Sequence, residues 1–267
     1  MLIKIIGLIL ILFGVAGLIL PVIPGIILIV VGGLLLFEEK LHMIKERLPE
    51  KFPSPVAVFY NYFIPKIFRP YFTEIINEVI QYKKGISILD VGCGPGTIAI
   101  SLVRGDPGYK VTGIDLSEKM IELAEKNRSA SGLGENPSFI KMSAEKMDIP
   151  DNSADLIMST MAFHLMKSPE KVLTEIYRVL KDGGEAWIYD GYGSATLGDV
   201  RAATDRWQGI FPPASLLRCI IKIEGYTEGE YHGKVDKLIS ESPFHSALFE
   251  RKGIMMKITM KKAPVAQ

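Results

Sequence analysis

Cysteine is scarce in this chain, with only Cys93 and Cys219 among 267 residues. Two cysteines cannot build a disulfide framework, and no CxxC or Cys/His spacing points to a structural zinc site, so no metal is expected. They read as small buried thiols in a reducing compartment. Net charge is equally sparse, at +1. A dedicated nucleic-acid binder normally carries a basic excess on one face, so no nucleic-acid partner is expected.

The scarcity of charge is sharpest at the start. Between Met1 and Phe37 the only ionisable side chain is Lys4, and every acid comes later. A secretory signal peptide has a shorter apolar core and a polar cleavage site. A single membrane-spanning helix needs about 20 residues, so thirty-odd exceed one ordinary crossing. Pro21 and Pro24, in the stretch PVIPG, mark a turn near the middle. The pattern predicts a membrane anchor over residues 1–37, as a transmembrane helical hairpin with arms Ile5 to Leu20 and Ile26 to Phe37. Gly7, Gly14, Gly17, Gly32 and Gly33 would let the arms approach closely. Lys4 on one side and Lys40, Lys45, Arg47 and Lys51 on the other would both face the cytoplasm. The expected location is therefore the membrane bilayer, with the remainder of the chain on the cytoplasmic side.

Residues 38–84 read as a juxtamembrane segment and helical cap. Four prolines between Phe52 and Phe72 forbid one long helix, and a helix over about Phe72 to Tyr82 leads into the next part. From Gly85 short apolar runs alternate with amphipathic helices, the pattern of an α/β domain with a parallel sheet covered by helices on both faces. Strands are predicted at Ile86–Val91, Lys110–Ile114, Pro137–Met142, Ala154–Thr160 and Glu185–Tyr189. Helices are expected over Thr97–Val103, from the cap Ser117 onward, and from Pro169 to a stop at Gly183. Inserted helices are expected at about 193–245, carrying Trp207 and Phe211. A C-terminal antiparallel hairpin, Ser246–Glu250 with Ile254–Lys261, closes the 85–267 domain.

The stretch ILDVGCGPG puts Gly92, Cys93, Gly94 and Gly96 at the carboxyl end of the first strand, where open α/β sheets bind ligands. On spacing alone the turn suits NAD, FAD or an adenosyl cofactor. Two features favour an adenosyl ligand without pyrophosphate. The glycines do not follow the GxGxxG dinucleotide pattern. Asp90 precedes the first glycine, where its charge would repel a pyrophosphate and attract an amino group or sulfonium. Asp115, ending the second strand, is placed to accept from both ribose hydroxyls.

Together ILDVGCGPG, VTGIDLS, MSAEKMDIPDNSADLI and EIYRVLKDGG resemble the class I S-adenosylmethionine-dependent methyltransferases. The likeness is to the small-molecule "type 11" and ubiquinone/menaquinone-biosynthesis groups, over roughly residues 56 to 190. The resemblance implies a Rossmann-like fold and S-adenosyl-L-methionine as cofactor. It places Asp90 and the glycines at the methionine moiety, Asp115 at the ribose, and Leu116 or Met120 against adenine. Ser143, Ala144 and Glu145 stand where the family commonly has an Asp-Ala pair, and Tyr60 where an aromatic often covers the methionine end.

Methyl transfer from a sulfonium requires alignment and complementary charge more than covalent help. His164, near the end of the fourth strand, has the pKa range of a base. Asp190, ending the fifth, is expected to line the acceptor side. Met158, Met161 and Met166 offer a soft apolar surround, while His232 and His245 are expected at the surface. Tethering to a bilayer raises the encounter rate with lipid-phase molecules, so the expected partner is a hydrophobic small molecule or lipid, O- or C-methylated. A non-catalytic cofactor-binding membrane adaptor is the alternative.

Overall fold

A computed structural model describes Asn61, Pro65 and residues 68–205 and 214–264. The predicted hairpin of residues 1–37, most of the 38–84 segment including Tyr60, and Trp207 with Phe211 lie outside the described residues. Among those described, no helix is long and apolar enough to cross a membrane.

The first described helix, α1 (Arg69–Tyr82), carries Pro70 in its first turn, where a missing N–H costs nothing. Its buried side chains Phe72, Ile75 and Val79 fall three and four residues apart, one stripe against the core. After it come β1 (Ser87–Val91), α2 (Thr97–Gly105), β2 (Lys110–Asp115), α3 (Glu118–Ala130), β3 (Ser138–Lys141) and β4 (Ala154–Thr160). Then follow α4 (Pro169–Val179), β5 (Leu180–Gly191), α5 (Leu197–Thr204) and α6 (Ala214–Glu224). A three-piece helical run, Glu228–Glu230, π-helical Tyr231–Val235 and Asp236–Ser240, precedes β6 (Leu248–Lys252) and β7 (Met255–Lys261).

The seven strands lie in the order β3-β2-β1-β4-β5-β7-β6. The first five are parallel; β7 runs antiparallel to β5, and β6 antiparallel to β7. This is the predicted α/β sheet with its C-terminal hairpin. β1 and β4 are buried almost throughout, as strands covered on both faces must be. At the β3 edge only Phe139 is buried, and Ile140 stays exposed. The β1–β4 pairing holds Asp90 beside Met158, bringing the ends of both strands to one mouth.

One boundary differs from expectation. Gly183 does not terminate α4, which stops at Val179 as the chain turns extended at Leu180. β5 begins there, and its pairing with β4 jumps from Ala154–Leu180 to Leu156–Glu185. The intervening residues form a bulge in which Gly183 takes φ +75°. A Cβ on Gly184 would lie 2.9 Å from the Asp155 carbonyl oxygen. Asp155 anchors the spot, accepting from Ser87 N–H (3.0 Å) and Lys181 Nζ (2.8 Å). Glycines after an amphipathic helix serve here a strand irregularity, which helical periodicity cannot distinguish from a cap.

Candidate cofactor and active site

The turn after β1 is pulled over β2. Gly92 N–H and Cys93 N–H both donate to the Ile114 carbonyl, at 2.8 and 3.0 Å. Gly92, Gly94 and Gly96 all adopt left-handed φ, at 75°, 52° and 75°, a region that glycine enters without penalty. Asp115 completes the curve: one carboxylate oxygen accepts from Gly94 N–H (3.0 Å) and the other from Ser117 N–H (2.8 Å). Ser117 in turn caps α3, accepting from Met120 N–H.

Two neighbouring cavities flank this turn. The larger cleft, ≈ 730 Å³ with its open solvent, is lined by Asp115, Leu116, Met120, Ser143, Ala144 and Glu145. Those are the six residues assigned from sequence to the adenosine end, and the fold brings them together. Met142, Met161, Ala162, Leu165 and Met166 complete the wall. Of the expected methionine surround, Met161 and Met166 line the cleft, but Met158 is fully buried in the core.

The second cavity, ≈ 370 Å³, shares Gly92 and Gly94 with the first. Asp90, Cys93, Pro95, Thr97, Ile98 and Thr160 line it, with Phe72 and Pro65 from the N-terminal side. Tyr60 lies outside the described residues. The next residue is stitched to the turn: Asn127 Nδ2 donates to Asn61 Oδ1 and to the Pro95 carbonyl, both at 2.9 Å.

Electrostatics follow from burial. Asp90 is 2% exposed; desolvation, and secondarily the Asp115 charge, push its carboxyl up to about 7. Desolvation likewise raises Asp115, opposed by its two backbone N–H donors. Cys93 is pushed well up by burial and by both carboxylates, so its thiol is no nucleophile. Such a pair of acids in a dry cleft is poised for a cation. Thr160 Oγ1, also on the second cavity, is buried without a hydrogen-bond partner. A split cavity, an acid short of a counter-charge and an orphaned hydroxyl fit a ligand with a polar nucleoside end and a cationic tail.

At Gly92, which borders both cavities, a Cβ would strike the Ala162 methyl at 2.5 Å. Two sequence assignments need correction. Gly96 borders neither cavity, and a Cβ there would meet Phe139 Cζ at 2.5 Å. Both glycines permit packing of the turn against its own protein. Asp190 does not line an acceptor wall. It is fully buried, accepting from His164 N–H at 2.9 Å and pairing with His164 Nδ1 at 2.7 Å. The His164 side chain is 3% exposed, while its neighbours Met161, Ala162, Leu165 and Met166 face the cleft. The pair braces the loop that forms that wall.

Sequence reading missed the device that shapes this loop. Met161 takes φ +53°, sparsely populated for a non-glycine residue, and its N–H donates to the Tyr189 carbonyl at 2.8 Å. That sharp turn seats Ala162 on Gly92. No local signal marks a methionine for such a conformation.

Comparison with known proteins gives the same answer as the geometry. Residues 89–188 match the family described as a methyltransferase domain. Demethylmenaquinone methyltransferase of Listeria monocytogenes is 32% identical over 157 residues, 57% of this chain and 62% of that protein. A sterol 24-C-methyltransferase of Gibberella zeae is 37% identical over 111 residues, 42% of this chain and 29% of that protein. The chain thus spans less than two thirds of the length of either relative. Among solved structures, an Aquifex aeolicus S-adenosylmethionine-dependent methyltransferase superposes with TM-score 0.56 at 22% identity, covering 79% of this chain and 98% of that one. A Methanococcus maripaludis protein provisionally assigned the same activity gives 0.65 at 23%, covering 80% and 94%. Residues 89–188 therefore match a methyltransferase domain, set in a fold that the chain shares with S-adenosylmethionine-dependent methyltransferases.

Proposed function

We propose that the protein transfers a methyl group from S-adenosylmethionine to a hydrophobic, lipid-like acceptor at oxygen or carbon, and that residues 1–37 hold it at a membrane with this domain on the cytoplasmic side. The observation that carries the reading is Asp90, a buried acid at the mouth of β1 whose carboxyl lacks a compensating cation. When bound, the cofactor supplies an activated methyl on a positively charged sulfur. The chain's part is to orient and to neutralise. Asp90, Gly92 and Gly94 hold the amino-acid end, Asp115 the ribose hydroxyls, and Leu116, Met120 and Ser143 to Glu145 the base. Methionines along the cleft exclude water and favour an apolar acceptor.

His164 and Asp190 contribute by holding the loop that carries Met161, Ala162, Leu165 and Met166 against the cleft, and an acceptor carbon that is already electron-rich needs no general base. The lipid-like assignment draws on the two relatives, named for a menaquinone precursor and a sterol, and on the apolar N-terminal run.

The test uses detergent-solubilised full-length protein, methyl-labelled S-adenosylmethionine and a total membrane lipid extract, with products identified by mass spectrometry. Label is expected in an apolar species. Tight cofactor binding with no transfer to lipid, small-molecule or protein fractions would instead make the protein an adaptor.

A second expectation follows for Asp115. Replacing it with alanine removes an anionic acceptor from the ribose and frees two turn N–H groups. Cofactor affinity should fall by about 1–3 kcal/mol, the scale of charged hydrogen bonds. Calorimetry measures this, and unchanged affinity would remove Asp115 from the ribose role.

A further inference from the structure

The segment between β3 and β4 walls the larger cleft without regular structure of its own. Residues 142–150 belong to no helix or strand, yet Ser143, Ala144 and Glu145 stand on the wall with Leu116 and Met120. Such a stretch needs its backbone groups held from outside. At its start Met142 N–H donates to the Asp115 carbonyl at 3.0 Å. Beyond Glu145 the hold comes from α4. Glu175 Oε2 accepts from Met147 N–H at 2.6 Å, and Arg178 Nη2 donates to the Met147 carbonyl at 2.8 Å. Arg178 Nη1 donates to the Ile149 carbonyl at 2.8 Å and to the Asp151 carboxylate. Arg178 Nε and Nη2 also meet the two oxygens of Glu175, at 2.8 and 2.9 Å. Every N–H of the guanidinium is thereby engaged. An exposed ion pair has no need of this planar fork; two backbone carbonyls two residues apart do. Met147 is itself buried, so the clamp grips a fixed point. Val172, on the same helix, lines the cleft, whereas Glu175 and Arg178 border neither cavity.

We propose that Arg178 and Glu175 are positioning residues for base selectivity: by fixing Met147 and Ile149 they set the 143–145 segment at the distance that prefers adenine over its 6-oxo counterpart. The inference rests on the reading above that puts the base against 143–145, and adds two residues that touch no part of the cofactor. The reason is geometric. A polar edge is distinguished by partners held at hydrogen-bond distance. A segment free to shift by about an ångström loses that discrimination while still covering the apolar face of the ring.

The test is calorimetric binding of S-adenosylhomocysteine and S-inosylhomocysteine, which carries an oxo group in place of the 6-amino group, to the full-length protein. The unaltered protein is expected to prefer the adenosyl compound roughly tenfold or more. Arg178→Lys keeps the charge but not the fork. It should weaken S-adenosylhomocysteine by about the same factor, leave the inosyl compound within roughly twofold, and so abolish the preference. Glu175→Gln keeps an oxygen for Met147 N–H and should lose less of the preference; it carries the test if the lysine variant fails to fold. Asp151→Asn removes the exposed partner and leaves both backbone contacts, so the preference should persist. Equal weakening of both compounds, or an unchanged ratio, in the Arg178 and Glu175 variants would overturn the assignment. An unaltered protein that binds both compounds equally would overturn the placement of the base at 143–145, and one that binds neither would overturn the cofactor reading itself.

Discussion

Asparagine in place of Asp90 is expected to weaken S-adenosylmethionine binding at about pH 8 by 2–4 kcal/mol, roughly 30- to 1000-fold, while making the ligand-free protein more stable. The two effects have one cause. In the folded protein the Asp90 carboxyl keeps its proton up to about 7, against an ordinary value of 3.8. A carboxyl raised in this way contributes fully to stability below its unfolded value, and that contribution is lost as pH rises through about 7. The loss runs at roughly 1.4 kcal/mol per unit across that window. Asparagine cannot ionise, so the variant should gain on the unaltered protein above pH 4 and level off above about 7. Binding has the opposite sign, because a bound cation requires the carboxylate. Below about pH 7 the unaltered protein must release a proton on binding, and affinity should fall towards tenfold per unit. In Asp90→Asn that slope should vanish. Calorimetry across pH in buffers of differing ionisation enthalpy measures both affinity and proton release. A pH-independent affinity in the unaltered protein would remove Asp90 from the cation's company.

Alanine at Gly96 should be the most destabilising small substitution in the turn, at about 2–5 kcal/mol. Left-handed backbone at φ +75° costs a residue with a Cβ roughly 1–2 kcal/mol. The new methyl would also lie 2.5 Å from Phe139 Cζ and 3.2 Å from Ala124 Cβ. Overpacking of that kind adds about 1–3 kcal/mol. Since Gly96 borders neither cavity, residual folded protein should bind cofactor with an affinity limited by turn geometry rather than by lost contacts. Urea denaturation followed by circular dichroism measures the stability change. A loss below about 1 kcal/mol would mean that Phe139 yields freely.

Much of this site was legible because it is local. Asp90 and Asp115 each sit at the end of a strand readable from its apolar run, and the glycines between declare a tight turn. The 143–145 segment needed the family resemblance, yet once placed it falls on the cleft with Leu116 and Met120. His164 and Asp190 show where such reading fails. Both were recognised as chemical groups, but burial and pairing are properties of two strands meeting, and neither strand alone announces them. Gly183 misled for a related reason: a helix cap and a strand bulge both need positive φ, and only the pairing of β5 with β4 distinguishes them.

By itself the amino-acid order determined the alternation of strand and helix, the position of the ligand-binding turn, and the strong apolar bias of the first thirty-seven residues. Those follow from periodicity and from the conformational range of glycine and proline, which act over a few residues. Tertiary structure alone decided that Gly92 yields to Ala162, that Met161 turns against its preference, and that Thr160 joins Asp90 on one cavity. These depend on atoms distant in sequence competing for the same few ångströms, and packing at that range has no local code.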